Sequence, residues 1–333
     1  MGIKKNKRQF MANNFNDLFS GNLDSTMDFL DDKKAVSKDG IYRVDLSKVS
    51  DKKKGYRARI RFLPNLTRDG KLGQAAIEKI THYVDIKSDK SLSGWFDSPK
   101  NYNEKCPLTD LYYQLKNSKN AVLIEKAECL KYSKKYYSYV LIIEDEHQPE
   151  LVGKIMIFQY GKQIRDKIQS EKNGEITGES CNVFRLEDGK DFILSVKEKV
   201  IDGEAKVPDY TNSMFMPERT SISIYSEDRG VFKNVPLNAG KIDPKVQQTV
   251  IDFLLKRDHE LEDYAAKRLT DEEHDKINQI TAFLTGKASA GFNKPAKPSS
   301  DDFDLEESFV ASAASAPSKA AGFDDDDDFF KDL

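Results

Sequence analysis

Lysines alternate with tyrosines in one short segment of this chain, KAECLKYSKKYYSY at residues 126–139. A lysine attracts the phosphates of a polyanion, and the flat face of a tyrosine accepts an unstacked base of almost any kind. A groove that combines the two favours single strands, because the bases of a duplex already stack on one another. The alternative is an exposed hairpin whose tyrosines pack on its own face. The predicted nucleic-acid contacts in this segment are Lys126, Lys131, Tyr132, Lys134, Lys135, Tyr136 and Tyr137.

Three further stretches offer cationic or aromatic side chains. In YRARIRF, at residues 56–62, the period of a β-strand places three arginines on one side and apolar residues on the other. A solvated outer face explains each single arginine equally well. SGWFDSPKNY and PDYTNSMF hold large aromatic residues within turn-rich sequence, where their use in a core is less obvious. The further predicted nucleic-acid contacts are Arg57, Arg59, Arg61, Trp95, Phe96, Tyr210 and Phe215.

Familiar catalytic patterns are absent from the sequence. It contains no GxxxxGK[ST] loop for a nucleotide phosphate and no GxSxG or HExxH motif. The run EDEHQPE around His147 concentrates carboxylates beside an imidazole, but Pro149 and Gly153 favour a solvated loop there. We predict that the protein is not an enzyme. A metal-dependent nuclease assembled from dispersed acidic residues remains open as an alternative.

The charge of the chain is divided unevenly along its length. Its 333 residues have a net charge of −3, but residues 301–333 hold eleven acidic residues against two lysines. This tail therefore has a charge of −9, and the first 300 residues have a charge of +6. A basic body with an acidic tail indicates a polyanion-binding protein that carries its own competitor. An acidic-tailed scaffold or chaperone, without preference for single strands, is the alternative.

Cysteine use and hydropathy indicate the compartment. The three cysteines are isolated and odd in number, so they imply no disulfide framework. The sequence contains no run of about 18 apolar residues, so it predicts no membrane span. The basic N-terminus lacks the apolar stretch of a signal peptide. We expect a soluble protein inside a cell.

The composition divides the chain into four zones. Residues 1–50 are a basic start followed by polar sequence with short apolar groups, and residues 51–240 contain several β-branched or aromatic runs bounded by turn residues. Residues 241–286 have helical spacing, with a capping box that starts at Thr270. Residues 287–333 are rich in small and acidic residues, so we predict a disordered linker and tail. The predicted fold class is mainly β with added α, as a compact barrel or sandwich.

Several short motifs occur in an ordered series. They are IRFLP at 60–64, His82, WF at 95–96, CP at 106–107, YY at 136–137, PELVGKIMIFQYGKQIRDKI at 149–168, DFILSVK at 191–197 and DYTNSMF at 209–215. Over residues 55–220, their order and spacing resemble the single-stranded DNA-binding, helix-destabilising proteins of T-even-like bacteriophages. The acidic C-terminus is comparable as well.

This resemblance implies a five-stranded oligonucleotide-binding (OB-type) barrel with a small subdomain inserted around residues 80–118. A basic, aromatic-lined cleft would hold single-stranded DNA during replication, recombination and repair, in the cytoplasm of an infected bacterial cell. The family also uses a basic N-terminal arm to contact the next copy along the strand, which makes binding cooperative. The residues of this chain that match the arm are Lys4, Lys5, Lys7 and Arg8.

The resemblance also implies a position for a structural zinc ion, which family members hold with one histidine and three cysteines. His82 and Cys106 match two of these four ligands, whereas Thr109 and Ser98 stand at or near the other two positions. Neutral hydroxyl groups are poor substitutes for thiolates on zinc. We therefore predict that the protein holds no zinc or other cofactor, and that apolar packing stabilises the subdomain.

The last residues of the chain, GFDDDDDFFKDL, have a separate predicted role. Repulsion between like charges prevents the acidic run from folding alone, and its line of negative charge resembles a short single strand. We predict that this tail occupies the basic cleft when DNA is absent. Once DNA displaces it, its aromatic residues would bind replication, recombination or repair proteins. The residues concerned are Asp324, Asp325, Asp326, Asp327, Asp328, Phe329 and Phe330.

Overall fold

The computed structural model describes residues 40–49, 54–201 and 205–286. The predicted self-association arm and the predicted acidic tail both lie outside these residues. The strands of the described part are β1 (Ile41–Tyr42), β2 (Tyr56–Phe62), β3 (Asn65–Leu66), β4 (Leu72–Gly73), β5 (Ile77–Val84), β6 (Gly94–Asp97), β7 (Tyr132–Asp145), β8 (Ile155–Tyr160), β9 (Asp191–Ile201), β10 (Ala205–Asp209), β11 (Met214–Phe215), β12 (Ser223–Ser226), β13 (Val231–Asn234), β14 (Leu237–Asn238) and β15 (Lys241–Ile242). Its α-helices are α1 (Pro107–Lys116), α2 (Ala121–Ala127), α3 (Lys162–Asn173), α4 (Gln247–Leu254) and α5 (Asp271–Thr285).

One large sheet organises the molecule. Its main path runs β1-β8-β7-β2-β9-β10, while β11 also pairs with β9, and β5 joins β7 to β6. The long strand β7 pairs with β5 at its start, with β8 in its middle and with β2 at its end. The predicted α+β class is confirmed. No pairing between described strands joins the two ends of the main path, so this sheet does not close, and the OB-type barrel remains a prediction.

The sheet has an apolar core on each face. Along β7, Tyr136, Val140 and Ile142 belong to the first core, whereas Tyr139 and Leu141 belong to the second. This division follows from the period of two residues in a strand. Helix α3 contributes buried isoleucines to the first core, and α4 contributes buried side chains to the second.

A third core stabilises a small subdomain beside the sheet. It joins Val84 of β5 and Phe96 of β6 to buried leucines of α1. The C-terminal helix α5 packs against the same group through Ile277, Ile280 and Leu284. Residues far apart in the sequence therefore complete this core.

Local signals explain where the helices begin and end. Helix α1 begins at Pro107, and proline suits the first turn because the N–H that it lacks would have no partner in the helix. Helix α3 ends at Gly174, whose φ of 68° lies in the left-handed region that glycine adopts without strain. At α5, the capping box predicted at Thr270 is confirmed, because the Thr270 hydroxyl accepts from the Glu273 N–H and the Glu273 carboxylate accepts from the Thr270 N–H. Helix α4 begins at Gln247, three residues after Pro244, although proline favours the first turn of a helix.

Candidate nucleic-acid interface

Three tyrosine rings form a row where α1 meets the start of β7. The ring centroids of Tyr113 and Tyr112 are 5.2 Å apart, and those of Tyr112 and Tyr132 are 6.4 Å apart. Tyr113 is 46% exposed, and the other two rings are half-buried. Together with Lys116 and Lys134 they make up what we call the tyrosine surface. It offers flat rings and positive charge to solvent in one place.

The lysines of the tyrosine surface lie close to rings. Lys116 Nζ is 5.9 Å from the centre of the Tyr112 ring. On β7, Lys134 projects on the same face as Tyr132 because the two residues are two positions apart. Lys134 Nζ is 5.9 Å from the Tyr136 ring and 2.8 Å from a carboxylate oxygen of the buried Glu78.

Acidic groups hold the neighbouring lysines in place. The Glu128 carboxylate lies 2.7 Å from Lys116 Nζ and 3.4 Å from Lys131 Nζ. Burial alone would raise the pKa of Glu128, but the hydrogen bond and charge of Lys116, with those of Lys131, lower it. The carboxylate therefore stays ionised beside two cations, and these three groups together have a charge of +1.

The prediction that Arg61 on β2 contacts nucleic acid is wrong. Its side chain is buried, and it donates hydrogen bonds to the carbonyl oxygens of Arg185 (2.9 Å) and Thr220 (2.8 Å). A guanidinium held inside the protein in this way cannot reach a phosphate. Arg59 is half-buried and forms an ion pair with Glu144 at 2.5 Å, and only Arg57 is exposed.

Four other predicted contacts lie inside the protein, so the structure does not support them as stacking or phosphate-binding groups. Tyr136 stacks on Tyr160 in the first core, with the ring centroids 5.7 Å apart. For Tyr136, the alternative that the tyrosines of this segment pack within the protein is therefore correct. Burial raises its pKa, with the charge of Glu78 adding to the effect. The four buried residues are Phe96, Lys135, Tyr136 and Phe215.

The remaining predicted residues lie at or near the surface but away from the tyrosine row. Trp95 is 50% exposed and packs on Tyr83, with the ring centroids 4.8 Å apart. It projects on the face of β6 opposite to Phe96, and therefore away from the subdomain core. Tyr137 packs on Tyr264, and Lys126 donates a hydrogen bond to the carbonyl oxygen of Leu284. The half-buried Tyr210 packs against the first core.

The structure has a second basic surface, and the sequence did not indicate that its residues lie together. A groove of about 940 Å³ lies over β2, β9 and β11, and Arg57 lines it together with Lys54 and Lys197. Its floor includes Ile193 and the exposed Met214. Lys54 and Arg57 lie at or next to the start of β2 and Lys197 lies on β9, so their approach depends on the pairing of these two strands. Along β9, Ile193 and Lys197 alternate with buried residues, and this pattern indicates that they lie on an accessible face. The pattern does not reveal which strands lie beside β9.

The described residues contain no group of three or more His, Cys, Asp or Glu side chains that could hold a metal ion. Within the same residues, no helix is long and apolar enough to cross a membrane.

A protein-family model described as "gp32 DNA binding protein like" matches residues 54–284. The match begins just before β2 and extends into α5, so it includes both the tyrosine surface and the groove. This match indicates a DNA-binding protein, and the chain belongs to the gp32-like DNA-binding family. The resemblance found in the sequence is thereby confirmed. No curated protein matches the chain significantly.

Proposed function

We propose that the protein binds single-stranded DNA without sequence preference, and that the tyrosine surface is the main contact. The observation that carries this proposal is the row of accessible rings at Tyr112, Tyr113 and Tyr132, flanked by Lys116 and Lys134. Every base has a π-face, so stacking on such rings tolerates any sequence. Membership of the family supports DNA as the polyanion that is bound.

The decisive experiment is a titration of the full chain with a dT oligomer and with a duplex of equal length, at two salt concentrations. We expect tighter binding to the single strand, with log K falling by about 0.7 per neutralised phosphate for each unit of log salt. Equal affinity for both forms would favour the scaffold alternative. Incubation with Mg²⁺ tests the nuclease alternative, and we expect no cleaved product.

We propose further that the protein coats single strands cooperatively during replication, recombination and repair in an infected bacterial cell. Membership of the family supports this role, and the charge of +6 on the first 300 residues suits a polyanion. Contacts between neighbouring copies would come from the basic N-terminal arm. Replacing Lys4, Lys5 and Lys7 with glutamine should lower affinity for long poly(dT) far more than for a short oligomer. An equal loss on both would count against cooperativity through the arm.

The acidic tail is proposed to compete with DNA for the tyrosine surface and to recruit other proteins when DNA displaces it. A tethered competitor acts at high effective concentration, and the charge of −9 on residues 301–333 complements the basic body. Deleting these residues should strengthen binding to dT oligomers at low salt. Unchanged affinity there would remove the competition but leave the proposed DNA binding intact.

A further inference from the structure

Four buried polar side chains meet between the sheet and α1. His82 lies on β5, Ser98 follows β6, Cys106 immediately precedes α1, and Thr109 lies in the first turn of α1. His82 Nε2 is 3.3 Å from Cys106 Sγ and 3.1 Å from Thr109 Oγ1. Burial alone would raise the pKa of the Cys106 thiol, but hydrogen bonds with His82, Ser98 and Thr109 and the charge of His82 lower it to about 6. We call these four residues the polar cluster.

The ligand types in the polar cluster do not fit a structural zinc ion. Such sites take four nitrogen or sulfur ligands, whereas this cluster offers one imidazole, one thiol and two neutral hydroxyls. A single thiolate would leave the metal with an uncompensated positive charge inside an apolar core, which is costly.

The surroundings of His82 also do not fit a metal site. A histidine that binds a metal almost always donates its other ring N–H to a carboxylate, a carbonyl or a water. His82 Nδ1 is buried and has no hydrogen-bond partner among the described residues. Among the described residues, the ring therefore forms hydrogen bonds only through Nε2, with Cys106 and Thr109.

We propose that the polar cluster is a metal-free replacement for a zinc site, and that α5 stabilises the subdomain where a metal would do so in relatives. A zinc ion at this position would join β5 to α1. Ile277, Ile280 and Leu284 of α5 join the same elements, because they share the third core with Val84 of β5 and with the leucines of α1.

Polar contacts attach α5 at two places along its length. In its second turn, Lys276 Nζ donates a hydrogen bond to the carbonyl oxygen of Ser93 at 2.7 Å, in the segment before β6. Near its end, the carbonyl oxygen of Leu284 accepts from Lys126 Nζ of α2 at 3.3 Å. Helix α5 thus connects the β-strand part and the helical part of the subdomain without a metal ion.

The first experiment converts the polar cluster into a complete ligand set. In the full chain, Ser98→Cys with Thr109→Cys would place three cysteines around His82. Given Co²⁺, this double variant should show the visible absorption of tetrahedral thiolate coordination, and its Tm should become metal-dependent. The wild-type protein should take up no Co²⁺, and a chelator should leave its Tm unchanged. A variant that folds but binds no Co²⁺ would show that these positions are not equivalent to ligands.

The wild-type protein decides the question even if the double variant fails to fold. One tightly held zinc ion per chain, or a Tm that falls on chelation, would overturn the proposal. Metal content by mass spectrometry and unfolding with and without a chelator are measured without reference to DNA binding. This result is therefore independent of the proposed function.

The second experiment tests the role of α5. Ile280→Ala removes a fully buried side chain, whereas Phe283→Ala, its matched control, removes a ring that is 45% exposed. Hydrogen exchange in residues 84–130 should become faster in Ile280→Ala and stay near wild type in Phe283→Ala. Unchanged exchange in Ile280→Ala would overturn the assignment of α5 as the stabilising element.

Discussion

The tyrosine surface and the groove over β2, β9 and β11 are both basic, but only the tyrosine surface places aromatic rings beside its lysines. Besides Lys54, Arg57 and Lys197, the lining of the groove includes Ile193 and Met214 as well as the polar Ser195 and the acidic Glu146. Positive charge alone attracts any polyanion, while accessible rings add a preference for unstacked bases. Net charge therefore locates surfaces for polyanions but does not separate single strands from duplexes.

The two surfaces differ because of what covers each part of the sheet. The groove lies on the face of the sheet that carries the second core, at an end that this core does not cover. Basic, polar and apolar strand side chains are therefore accessible there. The tyrosine surface lies where α1 meets the start of β7, and the rings of Tyr112 and Tyr132 contact each other and are both half-buried. Rings held in this way lose little further conformational freedom when a base stacks on them.

The largest expected effect comes from removing rings at the tyrosine surface. In Tyr112→Ala with Tyr132→Ala, affinity for a dT oligomer should fall by roughly 1–3 kcal/mol for each ring that stacks a base. The matched control, Tyr112→Phe with Tyr132→Phe, keeps both rings and should bind nearly as well as wild type. Fluorescence anisotropy measures both, with circular dichroism to confirm folding. An alanine variant with wild-type affinity would remove the distinction between the two surfaces.

A smaller effect is expected from single charges, and it separates the surfaces directly. Lys116→Gln should reduce the salt dependence of dT binding by about 0.7 in slope if Lys116 contacts one phosphate. Arg57→Gln in the groove removes the same charge and should leave the slope unchanged. Binding isotherms at several salt concentrations give both values. The opposite pattern would place the DNA path in the groove.

The smallest expected effect concerns Trp95, which was predicted from the sequence to contact DNA. It is the only tryptophan of the chain, and it projects away from the subdomain core. Trp95→Ala should therefore lower affinity for a dT oligomer by less than the roughly 1 kcal/mol at the lower limit for a stacked base. A loss comparable to that of the tyrosine variant would mean that the strand passes around β6 as well.

The candidate interface includes part of the lysine- and tyrosine-rich segment at residues 126–139, but several of the contacts predicted in that segment lie elsewhere. The period of β7 correctly places Tyr132, Lys134 and Tyr136 on one face. Nothing in that period shows that Tyr160 covers Tyr136 while Tyr132 stays accessible. Tyr112, Tyr113 and Lys116 were not predicted as contacts, because their approach to β7 depends on how α1 packs.

The amino-acid sequence by itself determined the α+β class, many of the strands and helices, the charge division between body and tail, and membership of the family. These properties depend on local spacing, composition and motif order, so they can be read along the chain. Only the tertiary structure decided that Arg61 is buried while Arg57 is exposed, and that α5 completes the subdomain core. The reason is physical: side-chain period determines the face on which a residue lies, whereas segments distant in sequence determine what covers that face.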